Sequence, residues 1–272
     1  MRIILFFYIS LFFASHYGIS QEYSWELKGT YNQKNIEAWD VNPLEEMIVA
    51  SKGTLHKLDT NFQVMFTQSK KEYGDISKID ARHSLKTLLF SENQQMLAFV
   101  DNTLSYQDGK VDLANLGVDY ATLVCYSDQS NRFWVYDEQN SRMIRFEGLK
   151  SIVKRSEISN LTSITMHNMP NSIIESQNQV FLFYKDGGIF VFDYYGSLLR
   201  KYDYSDVIKI FPNEAHIYLL KKNHILRVDR KNGLDQTIPL PLQEVEDFRV
   251  FGSTLYFKDK LGIKKYSLIP IE

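Results

Sequence analysis

Short apolar runs, most of them four to seven residues long and closed by a polar break, fill the chain from Ile36 onward. Runs of that length between turn residues predict β-strands rather than helices. Five runs end in an aspartate that opens a turn: Asp59, Asp101, Asp137, Asp193 and Asp229. The gaps are 42, 36, 56 and 36 residues, so apart from one enlarged interval the spacing is that of a β-propeller blade.

The fourth repeat displays the pattern most fully. Ser172 to Ser176 is its innermost strand, Gln179 to Tyr184 the second, Gly188 to Phe192 the third and Ser197 to Tyr202 the outermost. Lys185-Asp186-Gly187-Gly188 and Asp193-Tyr194-Tyr195-Gly196 supply the turns, where Asp and Gly satisfy local hydrogen bonds or accept positive φ cheaply. A sixth repeat is incomplete, with strands over Val245 to Phe251, Thr254 to Phe257 and Ile263 to Leu268. The alternating segment Tyr23 to Lys28 has no repeat of its own, so it is expected to complete the last blade and close the ring. The expected fold is therefore all-β, a six-bladed β-propeller over residues 21–272. A five-bladed ring remains an alternative because boundaries between Tyr106 and Tyr120 are blurred, and an open β-sandwich assembly is another. Glycine is scarce, at 13 residues, so Asn and Asp are expected to carry part of the turn load.

The long interval from Asp137 to Asp193 implies an insertion of about 15 to 20 residues, placed between Gly148 and Asn171. It contains Lys154, Arg155, Met166, His167, Met169 and Pro170, and long loops on a rigid scaffold are where binding tends to reside. A passive surface loop, or a strap across the pore, is the competing reading. Tyr194 and Tyr195 join the candidate partner-binding residues because two aromatic rings in a turn have no evident structural duty. Trp39, Trp134 and Tyr204 are further aromatics that could stack on sugars or anchor a protein.

Residues 1–20 read as a cleavable secretory signal: Arg2, an apolar stretch from Ile3 to Ala14, and small residues before Gln21. That stretch is shorter than the ~20 residues a bilayer crossing needs, and no later segment approaches it. The mature chain is thus expected to be soluble and periplasmic or otherwise exported. The full chain has 31 basic and 33 acidic residues, which gives no reason to expect a nucleic-acid partner. Its basic pairs, such as Lys70-Lys71, are scattered. Cys125 is the single cysteine, so no internal disulfide is available, and its apolar run suits it to a buried strand.

The histidines at 56, 83, 167, 216 and 224 show no metal-binding spacing, although a site shared between blades would leave no such trace. Neither a nucleophile elbow nor a phosphate-cradling glycine loop is present. The recurrent aspartates fit turn formation better than glycosidase or calcium chemistry, because each accepts backbone hydrogen bonds two residues onward. No catalytic residue, metal or cofactor is assigned.

The passage from Ala81 to Phe90, continuing through Met96 to Ser105, resembles a segment of a poorly characterised family of exported propeller-like proteins from bacteria that use type IX secretion. Arg132 to Asp137 and Gly188 to Asp193 also fit that family. The resemblance implies a periplasmic, non-enzymatic role, with one such role a subunit that plugs or accompanies the outer-membrane secretion translocon. The leading expectation is a protein-interaction module of the cell envelope, a monomer within a complex. A small-ligand or carbohydrate receptor is the second reading, and a lyase or hydrolase built from several blades the third.

Overall fold

The computed structural model describes residues 23–69 and 73–271. The signal expected over residues 1–20 and the Lys70-Lys71 pair lie outside the described residues. A chain of short apolar runs can bury both faces of each sheet only by stacking sheets, and the observed architecture does so with six four-stranded antiparallel blades.

The chain enters on β1 (Tyr23–Tyr31). Blade one is β2 (Ala38–Val41), β3 (Met47–Ser51), β4 (Thr54–Leu58) and β5 (Val64–Gln68), from the axis outward. Blade two is β6 (Lys78–His83), β7 (Lys86–Ser91), β8 (Met96–Asp101) and β9 (Tyr106–Asp112). Blade three is β10 (Ala121–Tyr126), β11 (Arg132–Asp137), β12 (Arg142–Glu147) and β13 (Val153–Ile158). A short helix, α1 (Leu161–Thr165), leads to blade four: β14 (Ser172–Ser176), β15 (Gln179–Tyr184), β16 (Gly188–Phe192) and β17 (Leu198–Tyr202). Blade five is β18 (Lys209–Pro212), β19 (His216–Leu220), β20 (His224–Asp229) and β21 (Asp235–Pro239). Blade six takes β22 (Asp247–Phe251), β23 (Thr254–Asp259) and β24 (Gly262–Pro270) from the end of the chain and β1 from its start.

That last pairing closes the ring as expected. β1 runs antiparallel to β24 from Tyr23 opposite Pro270 to Tyr31 opposite Ile263. Gly262 allows the turn at its foot: its φ is +149°, and a Cβ there would lie 2.0 Å from the Tyr31 carbonyl oxygen. Six apolar clusters sit between neighbouring blades, the sixth joining Tyr256 and Ile263 of blade six to Trp39, Val41, Met47 and Val49 of blade one. The middle strands, such as β3 and β16, are therefore buried along their whole length, whereas an outer strand such as β17 is exposed at four of its five residues.

Four of the five repeated aspartates end the third strand of a blade and cap the turn that follows. Asp59 accepts from the amides of Asn61 and Gln63, and Asp193 from those of Tyr195 and Ser197. Asp101 and Asp229 do the same two to four residues onward. Asp137 is different, because it closes β11, the second strand of its blade. The third strand of blade three ends at Glu147 instead, and measured from there both neighbouring intervals are 46 residues. The enlarged interval thus came from an aspartate one strand out of phase. The stretch between Gly148 and Asn171 is not an insertion beyond the repeat, because it holds the outer strand β13 and the link through α1.

Positive φ at Asn35, Asn131, Asn160, Asn178 and Asp206 agrees with Asn and Asp substituting for glycine in turns, although Lys52, Gln95 and Leu104 adopt it as well. Among the described residues no helix is long and apolar enough to cross a membrane.

Candidate functional site

The innermost strands of all six blades run in the same direction, so residues at equivalent positions face one axial channel. Charges on alternate residues of a strand fall on one side of it. Lys78, Asp80 and Arg82 alternate along β6, Asp247 and Arg249 along β22, and Asp40 and Lys209 come from β2 and β18. Together they line a cavity of about 450 Å³ that extends from Lys78, Lys209 and Asp247 at the strand starts to Pro43, Asn213 and Gly252 in the opposite turns.

Most of these charges also tie blades together. Arg249 Nε donates to Asp40 Oδ1 at 2.6 Å and its Nη1 to Asp247 Oδ1 at 2.9 Å, while Trp39 Nε1 donates to Asp247 Oδ2 at 3.1 Å. These contacts fasten the last blade to the first. Asp40 Oδ2 accepts the Ala81 amide and Asp80 Oδ2 the Tyr126 amide, so each carboxylate holds the inner strand of the next blade. Arg82 Nε donates to Asp80, and its Nη1 reaches the Glu175 carbonyl of blade four at 2.7 Å.

Burial pushes the Asp80 carboxyl up, but Arg82, Lys78 and two backbone amides outweigh it and hold the group below its usual range. Burial likewise opposes ionisation of Asp247, and Arg249, Lys209 and Lys78 reverse the effect. Burial also works against the Arg82 and Arg249 guanidiniums, yet their carboxylate neighbours keep both firmly charged. Lys78 moves the other way: burial, then Arg249, lowers its ammonium below the ordinary lysine value despite three nearby aspartates.

Beside the channel, between blades three and four, Glu175 is 2% exposed and accepts from four donors. They are Trp134 Nε1 at 2.5 Å, Tyr194 OH at 2.6 Å, Ser127 Oγ at 2.9 Å and the Asp128 amide at 2.6 Å. The Arg145 guanidinium lies 4.0 Å from the Tyr194 ring centroid. Tyr194 therefore does have a structural duty, contrary to the expectation from its turn position: its hydroxyl and ring both serve the blade interface.

The other expected partner-binding residues are divided among several places. Lys154 and Arg155 stand on the exposed outer strand β13, not in a loop, and pair with Glu157 and Glu147 respectively. His167 packs against Tyr184 and Phe190, with ring centroids 5.3 and 6.1 Å away. Met166 is 81% exposed, Met169 48% and Ile164 39%, all on the α1 connection. Tyr195 is 90% exposed, but it follows β16 and so lies at the opposite end of its blade from α1.

The α1 connection is firmly held. Leu161 is fully buried, the Ser141 and Thr162 hydroxyls are hydrogen-bonded, and Tyr136 OH donates to the Asn168 carbonyl at 2.9 Å. Met166 occupies the left-handed position after the helix, with φ 60°, where glycine is usual. A rigid support thus presents three apolar side chains to solvent.

Sequence reasoning named none of the channel charges. Their trace was present in Lys78-Ile-Asp-Ala-Arg82 and Asp247-Phe-Arg249, where charges alternate inside strands that should be buried. Among the described residues no three His, Cys, Asp or Glu side chains form a set that could hold a metal ion.

Fold and channel together define a six-bladed β-propeller with a charged axis. No protein-family model matches the sequence, and no curated protein matches it. Solved structures do. Virginiamycin B lyase from Staphylococcus aureus superposes with a TM-score of 0.61 at 10% identity, over 92% of this chain and 100% of the lyase. The Neurospora crassa Pan2 WD40 domain superposes at 0.65 and 8% identity, over 93% and 97%. A streptogramin B lyase gives 0.61 at 12% identity, over 90% and 98%. At such identities the likeness concerns the fold alone, which an enzyme and a WD40 domain share.

Proposed function

We propose that this chain is an exported, non-enzymatic protein-interaction module of the cell envelope that docks through the α1 connection. The observation that carries this reading is the trio Ile164, Met166 and Met169, exposed on a segment whose neighbours Leu161 and Thr165 are buried. Exposed apolar side chains on a mobile loop would lose affinity to ordering, whereas a pre-organised loop keeps it. Methionine adapts its shape to a partner's surface, which suits such a contact. A binding role is favoured over catalysis because Asp40, Asp80 and Glu175 are each engaged by backbone or side-chain donors that fix the blades. The family resemblance read from the sequence makes an outer-membrane secretion translocon the first partner to test.

Affinity purification from envelope extracts under mild detergent tests this reading. The wild type is expected to retain one stable protein partner, and Met166→Asp to lose it, while Tyr195→Asp on the opposite face keeps it. Asp tolerates the left-handed backbone at position 166, so the loop should survive the change. Recovery of no partner, or equal recovery with Met166→Asp, would overturn the proposal.

A further inference from the structure

The methionines of the described residues fall into two groups. Met47 and Met143 are fully buried in the clusters between blades, and Met96 is half-buried. Met65 stands in solvent on the outer strand of blade one, and Met166 and Met169, 81% and 48% exposed, stand on the α1 connection. Two of the three exposed thioethers are thus three residues apart on the surface proposed to dock a partner. The backbone keeps them outside. The Met166 amide donates to the Thr162 carbonyl at 2.9 Å, Thr165 Oγ1 donates to the Leu161 carbonyl at 2.8 Å, and Tyr136 OH donates to the Asn168 carbonyl at 2.9 Å. Leu161 and Thr165 occupy the buried side of α1, which leaves Met166 facing out.

No Asp, Glu, Lys or Arg lies between Glu157 and Glu175. The segment therefore offers a partner apolar contact and neutral hydrogen bonds, with no ion pair of its own to hold the complex if the apolar contact is lost. An oxygen added to either thioether puts a strong acceptor where the interface needs apolar surface, and a buried acceptor without a donor weakens binding. Methionine thus gives this surface an adaptable apolar contact that a single chemical step turns polar.

We infer that Met166 and Met169 are a modification site, an oxidation switch that closes the docking surface to its partner when the thioethers become sulfoxides. The inference rests on the docking role proposed for the α1 connection. The oxidant is hydrogen peroxide. The sulfur lone pair attacks one peroxide oxygen, and the O–O bond breaks as the S–O bond forms. The departing hydroxide takes the proton of the new S–OH group and leaves as water, so sulfur loses two electrons and the peroxide gains them. A dithiol-dependent sulfoxide reductase reverses the step, releasing the oxygen as water while the dithiol becomes a disulfide. Met47 and Met143 are shielded from the oxidant by blade packing.

The purified protein, treated with dilute hydrogen peroxide and mapped by peptide mass spectrometry, then serves as bait in the envelope extract. Met166 and Met169 are expected to gain oxygen at least about tenfold faster than Met47 and Met143, with an unchanged circular dichroism spectrum. The oxidised bait is expected to retain at least about tenfold less partner than the untreated one, and a methionine sulfoxide reductase with dithiothreitol to restore it. The double variant Met166→Leu, Met169→Leu should keep its partner after peroxide; leucine suits position 166, since Leu104 already adopts φ 63°. Met65→Leu should respond like the wild type. Oxidation of Met47 and Met143 as fast as the exposed pair would overturn the switch whatever the docking. Equal recovery by oxidised and untreated bait, or loss of the partner from the peroxide-treated leucine variant, would overturn the switch and leave the docking role standing. No recovery by the untreated bait would remove both.

Discussion

The Trp25 indole meets the Tyr266 ring edge-on, with centroids 6.1 Å apart and planes at 79°, although 241 residues of sequence separate them. Trp25 also packs edge-on against Phe257, and its Nε1 donates to the Pro239 carbonyl at 2.8 Å. One side chain near the start of the chain thus binds blade six internally and ties it to blade five. Trp25→Ala is expected to destabilise the protein by about 2 to 4 kcal/mol, the range for losing a large, well-packed side chain. Urea denaturation would show this as a lower midpoint at constant slope. A change below about 0.5 kcal/mol would mean that the closure depends on the backbone pairing of β1 alone.

The ring was legible in the sequence because each blade's strands and turns are local features. The fourth repeat shows this best: Ser172–Ser176, Gln179–Tyr184 and Gly188–Phe192 carry their boundaries in their apolar runs and in the Lys185 to Gly188 turn. Asp137 misled because one residue type does two jobs, capping a turn after a third strand at Asp193 and anchoring Arg142 after a second strand at Asp137. The channel and the role of Tyr194 were harder to read, since Glu175 and Trp134 meet only when blades three and four stack. Periodicity locates strands but does not say which side chains of different strands share an axis.

Glu175 accepts hydrogen bonds from four donors; the Ser127 and Tyr194 hydroxyls can turn to accept one from a carboxamide, but Trp134 Nε1 and the Asp128 amide, on different carboxylate oxygens, can only donate. Glu175→Gln replaces an acceptor oxygen with an NH2 group that faces Trp134 Nε1 or the Asp128 amide. The expected cost is about 1 to 3 kcal/mol, together with a shift in Trp fluorescence as the Trp134 indole loses its acceptor. Glu175→Ala should cost more, because it also leaves the donors unpaired. Stability equal to the wild type in Glu175→Gln would show that the cluster does not act as a unit.

Cys125 lies near the end of β10, the innermost strand of blade three, 1% exposed, and burial pushes its thiol well above the ordinary range, against the pull of Arg82. A protonated, shielded thiol is unreactive. Ellman's reagent is expected to label none of it in the native state and one equivalent after unfolding in guanidinium. Rapid stoichiometric labelling of native protein would show that blade three opens locally.

Asp137 makes acid sensitivity a direct readout of the blade-three anchor. Its carboxylate is buried, pairs with Arg142 at 2.8 Å, and accepts from Asn140 Nδ2 at 2.9 Å and the Tyr120 amide at 3.3 Å. Burial raises its pKa, but the bonds from Asn140, Arg142 and the backbone outweigh that and hold it below the ordinary value. A folded-state pKa below that of the unfolded chain gives stability that is present above about pH 4 and is lost as pH falls through the folded value. Asp80, Asp101, Asp193 and Asp247 are held low as well, so their losses add in the same window. Unfolding free energy is expected to fall slightly from about pH 7 to 5, because burial and Arg227 hold the His216 pKa below its ordinary value and the unfolded chain takes up that proton first, and to drop steeply below about pH 4, where the carboxylates of the unfolded chain bind more protons. Asp137→Asn should remove about 2 to 3 kcal/mol at pH 7 by breaking the pair with Arg142, and should make the acid limb shallower by up to about 1.4 kcal/mol per pH unit, the contribution of one proton. An acid limb as steep in Asp137→Asn as in the wild type would assign the pH dependence to the other carboxylates.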